Sequence, residues 1–169
     1  MTAQTLKTKN QRGFTLIELL VVIGILAILL AITLIAINPA RQFGQANDTK
    51  RRSDALAILN AIHQYAASNS GNLPGSIASA TVSATPVDLS GANFPTLCDE
   101  LVPDYLPAIP VDPSGNDQAG VEKTDCGAGT WTTGDTGVNG SVYQISKDAN
   151  NRVTVHASAP YAGPIEVTR

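Results

Sequence analysis

The sequence predicts an α+β fold, in which one long N-terminal helix packs on a small antiparallel sheet of three or four strands. Three observations carry that expectation. Leu19 to Ile37 is an almost wholly apolar run. Beyond it, Ala55, Leu56, Ile58, Leu59, Ile62, Tyr65 and Ala66 recur at helical spacings of three and four and form an apolar stripe. Late in the chain Tyr143 and Ile145, then Val153 and Val155, alternate with polar residues on either side of the turn-prone Asp148-Ala149-Asn150-Asn151. That is the pattern of an antiparallel hairpin with one apolar face.

The averages of composition conceal this division. The chain has 169 residues, 43% of them hydrophobic, and a mean hydropathy of +0.05, values that suit one ordinary soluble domain. The apolar run stands apart, however, and residues 70–169 are rich in Gly, Ser, Thr, Asn and Pro. About 100 residues remain for a globular head, enough for one small core. Formal charge is −3, and loss of the first thirteen residues, with Lys7, Lys9 and Arg12 and no acid, takes it to −6. An acidic head argues against nucleic acid as its partner.

The apolar run is too long for the core of a secretory signal peptide, which needs about 7–15 apolar residues and a small-residue cleavage site. As a helix, Leu19 to Ile37 extends about 28 Å, close to the thickness of a hydrocarbon core of roughly 30 Å. Ala36-Ile37-Asn38-Pro39-Ala40 makes a poor cleavage site. A permanent single-pass transmembrane helix is the expectation. Cations lie on both sides of it, Lys7, Lys9 and Arg12 before and Arg41, Lys50, Arg51 and Arg52 after, so charge alone leaves orientation open. The short leader and the character of the head favour an internal N-terminus.

Glu18 interrupts the run near its start. A carboxylate inside a spanning helix costs roughly 2.5–3.5 kcal/mol on insertion scales, so it needs a partner or a task. One reading is local: Thr15-x-x-Glu18 fits a capping box, with Thr15 at the N-cap and Glu18 at N3, and an acid suits the positive end of the helix dipole.

Arg12-Gly13-Phe14-Thr15-Leu16-Ile17-Glu18 followed by a long apolar helix resembles the class III signal of type IV pilins and type II secretion pseudopilins. The resemblance covers about residues 1–74 and implies the pilin fold. It implies that prepilin peptidase cuts between Gly13 and Phe14 and that Phe14 is then N-methylated. Glu18 becomes the fifth mature residue, and in the family this glutamate pairs with the N-terminal amine of a neighbouring subunit. The implied organisation is a leader over 1–13, a transmembrane and assembly half-helix over 14–38, an amphipathic half over 39–74 and a head over 75–169.

Within the span Gly24, Ala27, Ala31 and Ala36 are small, and Ala27-x-x-x-Ala31 could admit a close helix neighbour. Pro39 predicts a kink or local melting. Lys50-Arg51-Arg52 reads as a solvated helix face, with lipid headgroups or acids of neighbouring subunits as the other candidates. Gly71 and Pro74 end the helix, and Asn69 to Pro74 resembles the Asn-Gly-x-Tyr-Pro turn of many pilins, with Leu73 where Tyr is usual. Residues 75–97 show little periodicity and read as a long surface loop or a partly ordered insertion. A short helix is expected around Thr96 to Tyr105. Leu106 to Pro113 resembles the segment leading to the first sheet strand in pseudopilin heads, and Trp131 is assigned to the core.

No catalytic signature stands out, and the chain is not expected to be an enzyme. His63 and His156 lack any pattern tying them to a nucleophile. Cys98 and Cys126 are expected to form a disulfide if the head is exported, worth on the order of 3.5 kcal/mol for a loop of about 29 residues; two unpaired buried thiols are the alternative. Asp112, Asp117 and Asp125, with Asn116, are weak candidates for Ca²⁺, but their spacing fits neither an EF-hand nor an acid-rich calcium loop. No other cofactor is expected. Asp112 to Gly140 is the expected subunit-specific loop.

The resemblance thus implies a structural subunit of a type IV pilus-like filament, with a major pseudopilin of a type II secretion system as the alternative. A membrane-anchored ligand-binding minor pilin is a third possibility. The implied partners are prepilin peptidase, copies of the chain and other pilins in a helical filament, an inner-membrane assembly platform and the lipid bilayer. The implied location is the cytoplasmic membrane with the head outside, then an extracellular pilus or a periplasmic pseudopilus.

Overall fold

The computed structural model describes residues 13–79, 83–115, 119–127, 131–134 and 142–168. The chain divides into two compact units, Met1–Ala40 and Arg41–Arg169. Helix α1 (Leu16–Ile37) dominates the described part of the first, and it buries none of its residues. Its apolar side chains point in every direction around the axis, as in a helix that crosses a membrane. By length and composition it can cross a membrane.

Between α1 and α2 (Pro39–Ser68) stands Asn38, at φ 45° and ψ 77°. Asparagine tolerates this left-handed conformation better than most residues. The interruption predicted at Pro39 therefore falls one residue earlier, because proline is comfortable in the first turn of the helix it opens. α2 ends at Ser68, ahead of the expected boundary at 74, through Ser70 (φ 58°) and Gly71 (φ 87°). The Gly71 N–H returns to the Ala66 carbonyl at 2.8 Å and satisfies one of the exposed carbonyls of the last turn.

α2 buries Asp48, Arg51, Ala55, Ile58, Leu59, Ala61 and Ile62. Leu56, which the apolar stripe included, is 42% exposed, and Ala61 is buried instead. The sheet runs β1 (Ser83–Asp88), β2 (Tyr143–Lys147), β3 (Val153–Ala157) and β4 (Ile165–Thr168), antiparallel throughout and in chain order. β2 and β3 form the expected hairpin, with Ile145 opposite Val155 and Tyr143 opposite Ala157. Their inward residues join Ile58, Leu59 and Ile62 of α2, with Leu89, Leu97, Leu101 and Trp131, in one core. Each fully buried Leu or Ile contributes about 1.5–3 kcal/mol.

Two expectations fail here. Residues 75–97 are not simply a surface loop, since they supply α3 (Gly75–Ser79) and β1. β1 escaped notice because it is an edge strand that carries Pro86 and an irregular register between Ser83 and Val87, so it shows no clean alternation. Nor does Leu106 to Pro113 lead to the first strand, which lies earlier; its strand-like pairing is one bridge, Ile109 to Val121. The short helix expected near Thr96 is α4 (Leu97–Leu101). A disulfide joins its Cys98 to Cys126 of α5 (Lys123–Cys126), with a Cα separation of 5.3 Å.

Candidate functional site

The start of α1 assembles the residues that the sequence singles out. Thr15 is extended at the N-cap, and its Oγ1 accepts from the Glu18 N–H at 3.3 Å. The Thr15 N–H and hydroxyl donate to Glu18 Oε2 at 2.9 and 2.8 Å. The capping box is thus formed. These bonds orient the carboxylate but do not remove it from its apolar surroundings. Phe14 is 91% exposed, and Leu16, Ile17, Leu19 and Leu20 are exposed around Glu18. At Gly13 an added Cβ would meet nothing within 4 Å. Glycine there serves no packing requirement of the described residues.

The second polar cluster lies on α2, and sequence reasoning misplaced it. Arg51, assigned to a solvated face, is only 7% exposed, and Asp48 is 2% exposed. Arg51 donates through Nη1 to Asp48 at 3.0 Å, and through Nε and Nη2 to Asp112 Oδ1 at 3.0 and 2.8 Å. Nη2 also reaches Ser114 Oγ at 2.9 Å. Asp48 Oδ2 in turn accepts the backbone N–H groups of Tyr161 and Ala162 at 2.8 and 2.9 Å. One turn on, Asp54 accepts from the Tyr143 hydroxyl at 3.0 Å and pairs with Lys50 at 3.2 Å. Burial and the Asp54 carboxylate push the Tyr143 phenol far up, so it stays a neutral donor. A spacing signal was present, because positions 48, 51, 55, 58 and 62 share one helix face. The charged residues at 48 and 51 hid it.

The calcium candidates are otherwise engaged or not described. Burial pushes the Asp112 carboxyl up, but hydrogen bonds from Ser114 and Arg51 outweigh that and hold it below its ordinary range. Asp125 accepts from the Glu122 N–H at 3.2 Å as the N3 member of a capping box. Asp117 lies outside the described residues, as does much of the expected variable loop. Among the described residues no three His, Cys, Asp or Glu side chains gather around a common point. Trp131 is buried, as expected.

His156 shares a 2.8 Å hydrogen bond with Ser146 Oγ, and its Nδ1 stands 3.6 Å from Glu166. This order of groups is that of a hydrolytic triad, but the geometry has a simpler origin. His156 and Glu166 are register partners on adjacent strands, and 3.6 Å exceeds hydrogen-bond length. His63 sits on α2 with a buried Nε2 that has no partner among the described residues.

Comparison with known proteins agrees with the geometry at the chain's start. The family model described as "Prokaryotic N-terminal methylation motif" matches residues 8–34. The chain is 31% identical over 128 residues to type II secretion system core protein G of Escherichia coli K12, covering 72% of this chain and 79% of that protein. No solved structure matches significantly.

Proposed function

The chain belongs to the type IV pilin and type II secretion pseudopilin family, and from that premise we propose that it is a structural subunit of a type IV pilus-like filament. Family membership implies processing by prepilin peptidase, assembly into filaments and a structural rather than an enzymatic role. The observation that carries the reading is the Gly13-Phe14 junction placed directly before a helix exposed on all sides, with Glu18 at its mouth.

The mechanism follows from what each group lacks. Cleavage after Gly13 turns the Phe14 nitrogen from an amide into a cationic amine, and methylation of that amine keeps its charge. Glu18 is an anion among apolar side chains, where isolation costs roughly 2.5–3.5 kcal/mol. The amine of a neighbouring subunit supplies its counter-charge, and the apolar surface of α1 supplies the contact area once the helix leaves lipid for the filament. The head is carried as cargo on α2. Partners on this reading are prepilin peptidase, the inner-membrane assembly platform, the bilayer before extraction, and other copies of the chain.

A second reading has its own support. The similarity to a type II secretion core protein favours a pseudopilus subunit, with the same processing and the same helix contacts. Intact and N-terminal mass analysis of sheared surface filaments beside the membrane fraction separates the two. A chain starting at N-methylated Phe14 in sheared material establishes an extracellular pilus subunit. The same chain found only in membranes favours the pseudopilus. An uncut chain retaining Met1 to Gly13 refutes both.

A further inference from the structure

The head exposes aromatic surface close, along the chain, to the end of the span. Phe43 is 72% exposed and Tyr161 51% exposed. Phe43 follows Ile37 by six residues, so even a fully extended chain keeps it within about 20 Å of the last apolar turn. Tyr161 is held at the same level of α2 by two independent contacts. Its ring occupies the space that a Cβ on Gly44 would fill, and its N–H is bonded to Asp48 at 2.8 Å.

The loop that presents Tyr161 is unusual in composition. Pro160, Tyr161, Ala162, Gly163 and Pro164 are all exposed, and none carries a charge. The Tyr161 ring lies on Gly44, the chain neighbour of the exposed Phe43, and contiguous exposed apolar surface marks a contact site. Tyrosine, with an apolar ring and a polar tip, suits the headgroup level of a bilayer.

We propose that Phe43 and the Pro160–Pro164 loop form an interfacial anchor that lays the base of the head on the bilayer surface before assembly. The partner is the acyl–headgroup boundary of the membrane that α1 spans, so the inference rests on the spanning reading. Gly44 is the positioning residue. Alanine would normally stabilise a helix interior by about 1 kcal/mol relative to glycine, but here its methyl would displace the Tyr161 ring.

Fluorescence quenching by brominated lipids tests this with the full chain in phosphatidylethanolamine–phosphatidylglycerol vesicles. Trp131, the sole tryptophan and buried in the head core, gives the background. Leu26→Trp probes the span and Tyr161→Trp probes the anchor. The expected result is deep quenching for Leu26→Trp, quenching of Tyr161→Trp by lipids brominated near the headgroup, and little quenching of Trp131. Adding Gly44→Ala to Tyr161→Trp should reduce the quenching at 161 at least twofold while leaving near-ultraviolet dichroism of the head unchanged. If Leu26→Trp is quenched and Tyr161→Trp is no more quenched than Trp131, the anchor is refuted and the span stands. Failure of Leu26→Trp itself refutes the spanning reading. Shielding of residue 161 in filaments but not in vesicles assigns the surface to a neighbouring copy and overturns the proposal.

Discussion

Replacing Arg51 by methionine removes the cation on which two carboxylates converge and leaves its apolar volume largely in place. The Arg51 side chain is 8% exposed and its partners Asp48 and Asp112 are 1% and 13% exposed, so water cannot readily take over the lost role. Breaking a buried pair by deleting one partner costs about 3–5 kcal/mol. The lower end applies, because Asp48 keeps the N–H groups of Tyr161 and Ala162 and Asp112 keeps its bonds from Ser114. The expectation for Arg51→Met is therefore a loss of about 3 kcal/mol.

Guanidinium unfolding of the full chain in detergent micelles measures this, with buried Trp131 as the reporter for the head. A slope of about 2–6 kcal/mol/M converts the loss to a midpoint shift of roughly 0.5–1.5 M. Arg51→Lys keeps the charge but offers one nitrogen where Asp48, Asp112 and Ser114 are now bonded by three, so its loss should fall between wild type and Arg51→Met. A loss below about 1 kcal/mol for Arg51→Met, the range of exposed pairs, would refute the claim that this network fastens the head to α2.

Other expectations follow from the same contacts. Asp112 titrates below its ordinary 3.8, so the stability it contributes is complete above that value and is lost as pH falls through the lowered one; an acid titration of the unfolding midpoint checks this, and Arg51→Met should weaken the dependence. Reduction of Cys98–Cys126, which are 28 residues apart, should cost about 3.5 kcal/mol on the chain-entropy account, read as a midpoint shift with and without reductant. Glutamine can also fill the N3 position of a capping box, so Glu18→Gln should preserve α1 and cleavage after Gly13 yet lower filament yield at least tenfold in sheared fractions. Normal yield would mean that capping suffices. Gly13→Ala should block processing while leaving the head's unfolding midpoint unchanged, because nothing packs against that position.

Sequence legibility followed the contrast between apolar and polar residues. α1 and the β2–β3 hairpin were plain because burial or lipid exposure imposes a pattern on every residue. The capping box was plain because its residues are three positions apart and act locally. β1 was invisible because an edge strand need not alternate, and α3 because five residues are too few to show a period. Asp112 was grouped with Asp117 and Asp125 by residue type, whereas its bond to Arg51, 61 residues away, has no sequence pattern to announce it.

The changing character of the α2 stripe has a physical logic. From Ala55 to Ile62 the buried face is apolar and meets the sheet, where strands supply apolar neighbours. At Asp48 and Arg51 the same face instead meets the side chains of Asp112 and Ser114 and the backbone N–H groups of Tyr161 and Ala162. Those N–H groups and the short polar side chain of Ser114 need hydrogen-bond partners, which the charged side chains supply with a direction that an apolar contact would lack. Converting Asp48, Arg51 and Asp112 together to apolar residues removes every buried charge of the network, and such swaps are often neutral or stabilising overall. Here the swap would still strip Tyr161 and Ala162 of their acceptor. Global stability should therefore change little, while the amides of those two residues lose protection from hydrogen exchange. Protection that survived the triple change would mean that the Tyr161 ring on Gly44, not the Asp48 carboxylate, holds the loop.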